Sequence, residues 1–79
     1  MTEYKPIQCE LHDTFELACM RKLIDQVIWR DDNGQLHRDK LRFMNTATRN
    51  GEEFLIATNQ SGKQFRIRLD LIQSLPPPH

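Results

Sequence analysis

Three short interruptions constrain this chain more than anything else in it. Asp31-Asp32-Asn33-Gly34, Arg49-Asn50-Gly51 and Asn59-Gln60-Ser61-Gly62 each separate two runs of β-prone residues. Asn-Gly between such runs is a strong hairpin signal, because both residues tolerate the positive φ that a tight turn demands. Consecutive hairpins can only build an antiparallel sheet. The runs they delimit cover residues 23–30, 36–44, 53–58 and 64–69, and a last short run spans 71–75. Alternation is clearest in the fourth. It predicts Phe65, Ile67 and Leu69 facing inward and Arg66 and Arg68 facing outward.

A helix is expected ahead of the strands. Asp13 is a good N-cap residue, and Glu16 follows three positions later, the spacing of a capping box. The predicted helix covers about residues 14–21, with Phe15, Ala18, Cys19 and Lys22 in one stripe and Leu17 and Met20 beside it. Residues 1–12 read as irregular or extended, since Pro6 biases Lys5 away from helix and Ile7, Cys9 and Leu11 alternate with polar neighbours. A helix this short does not hold in water by itself, so its apolar side must lie on the sheet. About five short strands leave two exposed edges, which a small, strongly bent barrel closes or shortens. The expected architecture is therefore mainly β (α+β), a short N-terminal helix packed on a small antiparallel barrel. Residues 1–79 make one domain, and the proline run at 76–79 reads as an extended tail.

With 79 residues there is room for a core but little for a deep substrate pocket. Eleven basic and eleven acidic residues cancel, so the broad positive field of a non-specific nucleic-acid binder is missing. The charges are unevenly placed. The first twenty residues hold Glu3, Glu10, Asp13 and Glu16 against Lys5 alone, whereas Arg21, Lys22, Arg30, Arg38, Lys40, Arg42 and Arg49 make the middle basic. Opposed patches of this kind suit recognition of a charged partner. No apolar run approaches the roughly 20 residues that span a bilayer, and no signal-peptide pattern opens the chain. A cytoplasmic protein is expected, with Cys9 and Cys19 reduced and acting as small buried apolar groups.

Chemistry is sparsely marked. Cys9, His12 and Cys19, with His37 elsewhere, offer zinc-type ligands but lack the paired spacing of a structural site, so no metal or cofactor is expected. No nucleophile has an evident base and orienting partner, and each glycine stands alone at a turn. The expectation is a binding protein rather than an enzyme. Arg38, Lys40, Arg42, Arg66 and Arg68 form either a solvated strand face or, as the alternative reading, an RNA-binding face. Asp13 and Glu16 have a sufficient structural role as caps, but Glu10 and Glu3 add charge without one. Carboxylates gathered on a helix end can imitate RNA phosphates to a basic groove.

Two stretches resemble a known family. Tyr4-x-Pro6-Ile7-x-Cys9 followed by Asp13-x-Phe15-Glu16-Leu17-Ala18-Cys19 is similar to the opening of the Rof family of Rho-binding antiterminators. Arg68-Leu69-Asp70-Leu71-Ile72 resembles a later strand of that family, and Trp29-Arg-Asp-Asp-Asn-Gly34 stands where the family has its first hairpin. The resemblance implies an Sm-like barrel. It also implies a protein that binds the N-terminal RNA-binding domain of transcription termination factor Rho, obstructs the primary RNA site and inhibits Rho-dependent termination. The residues themselves show no extra apolar face, so a monomer is expected, with an edge-strand dimer as the alternative. The residues the resemblance assigns to the Rho contact are Glu10, Asp13 and Glu16 around the helix. An inter-strand loop over residues 45–51 adds Asn45, Thr46 and Asn50.

Overall fold

The computed structural model describes residues 3–76. One helix, α1 (Cys9–Met20), precedes four strands, β1 (Ile24–Arg30), β2 (Leu36–Arg49), β3 (Glu52–Thr58) and β4 (Gln64–Arg68), and a single 3-10 turn, Leu69–Leu71. The strands form one antiparallel sheet in sequence order. Of the proline tail only Pro76 falls within the described residues.

The first and third interruptions fold the same way. In each, an Asx side chain accepts two backbone N–H groups: Asp31 Oδ1 from Asn33 and Gln35 (2.9 and 3.0 Å), and Asn59 Oδ1 from Ser61 and Lys63 (3.0 and 2.9 Å). The glycine three residues on, Gly34 or Gly62, donates its N–H back to the Asx carbonyl. The middle interruption is the true two-residue turn. Asn50 (φ 54°) and Gly51 (φ 79°) are both left-handed, as a type I′ hairpin requires. That turn stands where the Arg49-Asn50-Gly51 pattern put it. The stretch 45–51, expected to be a loop, is mostly strand, because β2 runs 14 residues without stopping.

β2 can be so long because it serves two partners. Its first half pairs with β1 and its second half with β3, and the register slips by one residue between Phe43 and Asn45. Met44 is the extra residue of this bulge. A bulge bends and twists its strand, and here it curls the sheet into a half-barrel. The seam between β1 and the chain after β4 is partly closed by a Trp29–Ile72 bridge, by Gln73 N–H donating to the Ile28 carbonyl (2.6 Å) and by Ile28 N–H donating to Ser74 Oγ (3.0 Å). The fifth strand expected over 71–75 is reduced to that bridge, because the 3-10 turn takes up the residues that would have begun it.

Alternation fills the interior, with Ile67 and Leu69 buried and Phe65 partly so, as predicted. Val27, Trp29, Leu41, Phe43, Leu55, Ala57, Ile67 and Leu69 point inward to meet Phe15, Ala18 and Cys19 of α1. Phe15 stacks on Phe43 with ring centroids 6.3 Å apart. The helix stops in a Schellman arrangement: Leu23 N–H donates to the Ala18 carbonyl and Lys22 N–H to the Cys19 carbonyl, with Lys22 left-handed at φ 52°.

Two expectations are corrected. The helix begins at Cys9, not near Thr14, so Asp13 and Glu16 are interior helix positions and make no capping box. The N-cap is Gln8, with no side-chain cap. Ile7 and Leu11, read as alternating strand residues, extend the apolar stripe of Phe15 and Ala18 backwards at helical spacing and pack against the core. Arg68, placed outward by alternation, is buried. The 3-10 turn brings Asp70 back beneath it, and the guanidinium donates to both carboxylate oxygens (Nε–Oδ1 2.9 Å, Nη2–Oδ2 2.6 Å). Tyr4 covers this pair with its ring, and the Lys5 N–H donates to Asp70 Oδ2 at 2.9 Å.

Burial pushes the Asp70 carboxyl up, but the Arg68 and Lys5 hydrogen bonds outweigh it and hold the group below its ordinary value. A depressed carboxylate stabilises the fold above its unfolded pKa of roughly 3.9, and that contribution disappears as pH falls through the folded value. Asp70→Asn is therefore expected to cost about 3 kcal/mol at neutral pH, because it removes the carboxylate paired with a buried cation. It should also flatten the acid limb of stability against pH, as read by urea unfolding at a series of pH values. Gly51→Ala is a milder test. A Cβ there meets nothing within 4 Å, so its cost, about 1 kcal/mol in the same assay, is backbone strain alone.

Candidate functional site

The acidic helix face is positioned from below by the core. Phe15, Ala18 and Cys19 face the sheet, which turns Glu10, Asp13 and Glu16 to solvent. Glu10 sits in the first turn, where the helix dipole favours a carboxylate. Its carbonyl also accepts the Thr14 hydroxyl at 2.9 Å. The capping role proposed for Asp13 and Glu16 is gone, so their charge now lacks that structural explanation.

α1 lies along the β2–β3 hairpin. Near its C-terminal end, the Lys22 ammonium donates to the carbonyl of Met44, the bulge residue, at 3.3 Å. A groove of about 310 Å³ opens there, lined by Glu16, Cys19, Met20, Lys22, Met44, Asn45 and Thr46. The structure thus brings Glu16 together with Asn45 and Thr46, three of the six predicted contact residues. Asn45 and Thr46 are strand residues beside the bulge rather than loop residues, and Asn45 Oδ1 accepts the Thr46 N–H at 2.9 Å. Asp13 lines a neighbouring groove of about 190 Å³ with Tyr4, Pro6, Ile7, Cys9, His12 and Glu53. Asn50 is exposed at the tip of the β2–β3 hairpin and lines neither groove. Glu10 also lines neither.

Sequence reasoning weighed His12 only as a zinc-type ligand and missed Glu53. His12 Nδ1 lies 2.8 Å from Glu16 Oε1, and Nε2 lies 2.6 Å from Glu53 Oε2. The i,i+4 spacing of His12 and Glu16 was legible in the sequence. Glu53 could be found only from the strand register, which sets it opposite Thr48 on β2. His12, Asp13 and Glu16 hold their polar atoms within 4.8 Å of one another. Both ring nitrogens of His12 are already engaged by carboxylates, so this is an ion-pair cluster in its geometry. The zinc-type set weighed from sequence is not assembled: Cys9 is exposed, Cys19 is buried, and His37 sits against Asp31 (2.7 Å) and the Trp29 ring on the first hairpin. The His37 hydrogen bond, with two backbone N–H groups, holds the Asp31 carboxyl below its ordinary value.

On the other face of the sheet, Arg38, Lys40 and Arg42 alternate with the buried Leu41 and Phe43 and are exposed, and Arg66 lies over the Phe54 ring at 5.4 Å. Arg68 is subtracted from this face by its burial with Asp70.

The cysteines differ as their burial dictates. Desolvation pushes the Cys19 thiol up to about 11, whereas Cys9, expected to be buried, stands exposed on the first turn of α1. Native protein at neutral pH is expected to take one equivalent of maleimide, at Cys9, and unfolded protein two. Peptide mapping by mass spectrometry locates the adduct.

No helix among the described residues is long and apolar enough to cross a membrane. Residues 6–79 match the family model described as "Modulator of Rho-dependent transcription termination (ROF)". Comparison with curated proteins gives no match.

Proposed function

The chain belongs to the Rof family of modulators of Rho-dependent transcription termination, and from that membership we propose that it docks on the N-terminal RNA-binding domain of Rho and obstructs its primary RNA site. The observation that supports this most is the exposed acidic face of α1 joined to a groove: Glu16 beside Asn45 and Thr46, with Asp13 and Glu10 a turn or two earlier on the helix. A groove built to hold RNA phosphates presents cations and hydrogen-bond donors. Carboxylates on a rigid helix compete for those same groups, and the polar edge of β2 adds hydrogen bonds that set register. The action is steric and electrostatic exclusion by a cytoplasmic monomer, without turnover and without a cofactor.

The competing reading, an RNA-binding barrel, is weakened by the burial of Arg68, one of the four arginines it relied on. Arg38, Arg42 and Arg66 remain exposed on the face away from α1.

Asp13→Asn with Glu16→Gln separates contact from structure. Neither carboxylate caps the helix, so the double variant should keep its stability to within about 0.5 kcal/mol and lose most of its affinity for purified Rho in a titration. Wild-type binding should weaken as salt rises, because exposed charge pairs are screened. Unchanged affinity in the double variant, or direct binding of C-rich RNA at moderate salt with no effect on Rho, would overturn this reading.

A further inference from the structure

We propose that Glu53 of β3 is part of the Rho-docking face and that His12 is the positioning residue coupling it to Glu16, so that the charge this face offers depends on the protonation of one imidazole. The inference rests on the docking reading above and extends it from the helix onto the sheet.

The geometry is specific. His12 precedes Glu16 by one helical turn and reaches Glu53 on the neighbouring hairpin, with its two ring nitrogens 2.8 and 2.6 Å from the two carboxylates. A neutral imidazole has one N–H and one lone pair. It can donate to one carboxylate only, and its bare nitrogen would then oppose an oxygen at hydrogen-bond distance. The imidazolium donates to both. The clamp therefore closes around a protonated ring and loosens when the proton leaves.

The cluster has charged neighbours, Asp13 closest, with its carboxylate within 4.8 Å of the polar atoms of His12 and Glu16. Asp13 and Cys9 flank it on α1, and Lys22 reaches the Glu16 groove from beyond the helix end. Tyr4 of the N-terminal segment shares the groove with His12 and Glu53, and burial together with the Glu53 charge pushes its phenol up, so it contributes no charge. Closed, the clamp holds two carboxylates with one internal cation between them. Open, it releases both and adds one negative charge to the face. A lysine or arginine of the partner seated between Glu16 and Glu53 takes the place of the imidazolium. Docking and His12 protonation thus compete, and affinity rises with pH.

The test is Rho binding by wild type, His12→Gln, His12→Arg and Glu53→Gln between about pH 6 and pH 8. Wild type should bind several-fold tighter at the upper end. His12→Gln should bind at both ends like wild type at high pH, His12→Arg should stay weak throughout, and Glu53→Gln should lose affinity. A purely structural His12 would instead lower affinity in both variants equally at every pH. A pH profile unchanged in His12→Gln, or full affinity in Glu53→Gln, overturns the proposal. A second arm uses the free protein. The Glu16 and Glu53 carboxylate ¹³C resonances should move in step with the His12 ring through a pH titration, and a Glu53 resonance blind to the ring overturns the coupling. If no variant binds Rho while that coupling is seen, the docking reading falls and the clamp alone stands.

Discussion

Everything this protein presents to a partner depends on the contact between Phe15 and the curled sheet. α1 is twelve residues long, has no side-chain cap and ends on a left-handed lysine. Such a helix is marginal in water. It persists because Phe15 stacks on Phe43 while Ala18 and Cys19 fill the space beside Leu41 and Leu55, all of them nearly inaccessible to solvent. That packing fixes the rotation of the helix about its axis. The rotation in turn decides that Glu10, Asp13 and Glu16 look outward while His12 looks toward the hairpin. The acidic face is a by-product of a core constraint, which makes its geometry rigid even though each of its carboxylates is exposed.

The sheet supplies the complementary device. A flat β2 would carry α1 past its own end. The bulge at Met44 bends the strand, offers a carbonyl to Lys22 and sets Asn45 and Thr46 at the rim of the groove beneath Glu16. Polar groups from helix and strand then converge on one surface. Arg38, Lys40, Arg42 and Arg66 are turned by strand alternation to the outer face of the sheet, away from the core.

Much of this could be read from the residues, and the failures have physical causes. The three hairpins were legible because Asx and Gly residues act locally, through a side chain that mimics a turn carbonyl and a backbone that tolerates positive φ. The inward residues of β4, Phe65 and Ile67, were legible because pleating is two-fold, and the same rule separated the two faces of β3. The helix start was not. Asp13-x-x-Glu16 satisfies the pattern of a capping box, yet Ile7 and Leu11 gain more by burying themselves against the core than the box could return, so tertiary packing moved the start back to Cys9. Arg68 was misplaced for a similar reason: alternation says nothing about a turn that carries a carboxylate back under the strand end. The Glu16 side of the candidate site was visible from spacing, whereas His12–Glu53 and the shared groove with Asn45 depend on how helix and hairpin are stacked, which no local pattern encodes. The family resemblance named a partner that composition alone did not.

The hydrogen bond from Lys5 to Asp70 joins residues sixty-five positions apart. It ties the segment leading into α1 to the turn that follows the last strand. During synthesis, therefore, the residues that lead into the acidic helix emerge well before the turn whose Asp70 holds Lys5. The acidic helix is made before the sheet it rests on and is among the last elements to be secured. A truncated product lacking residues beyond β3 would carry the acidic sequence without the Asp70 contact that holds its approach in place.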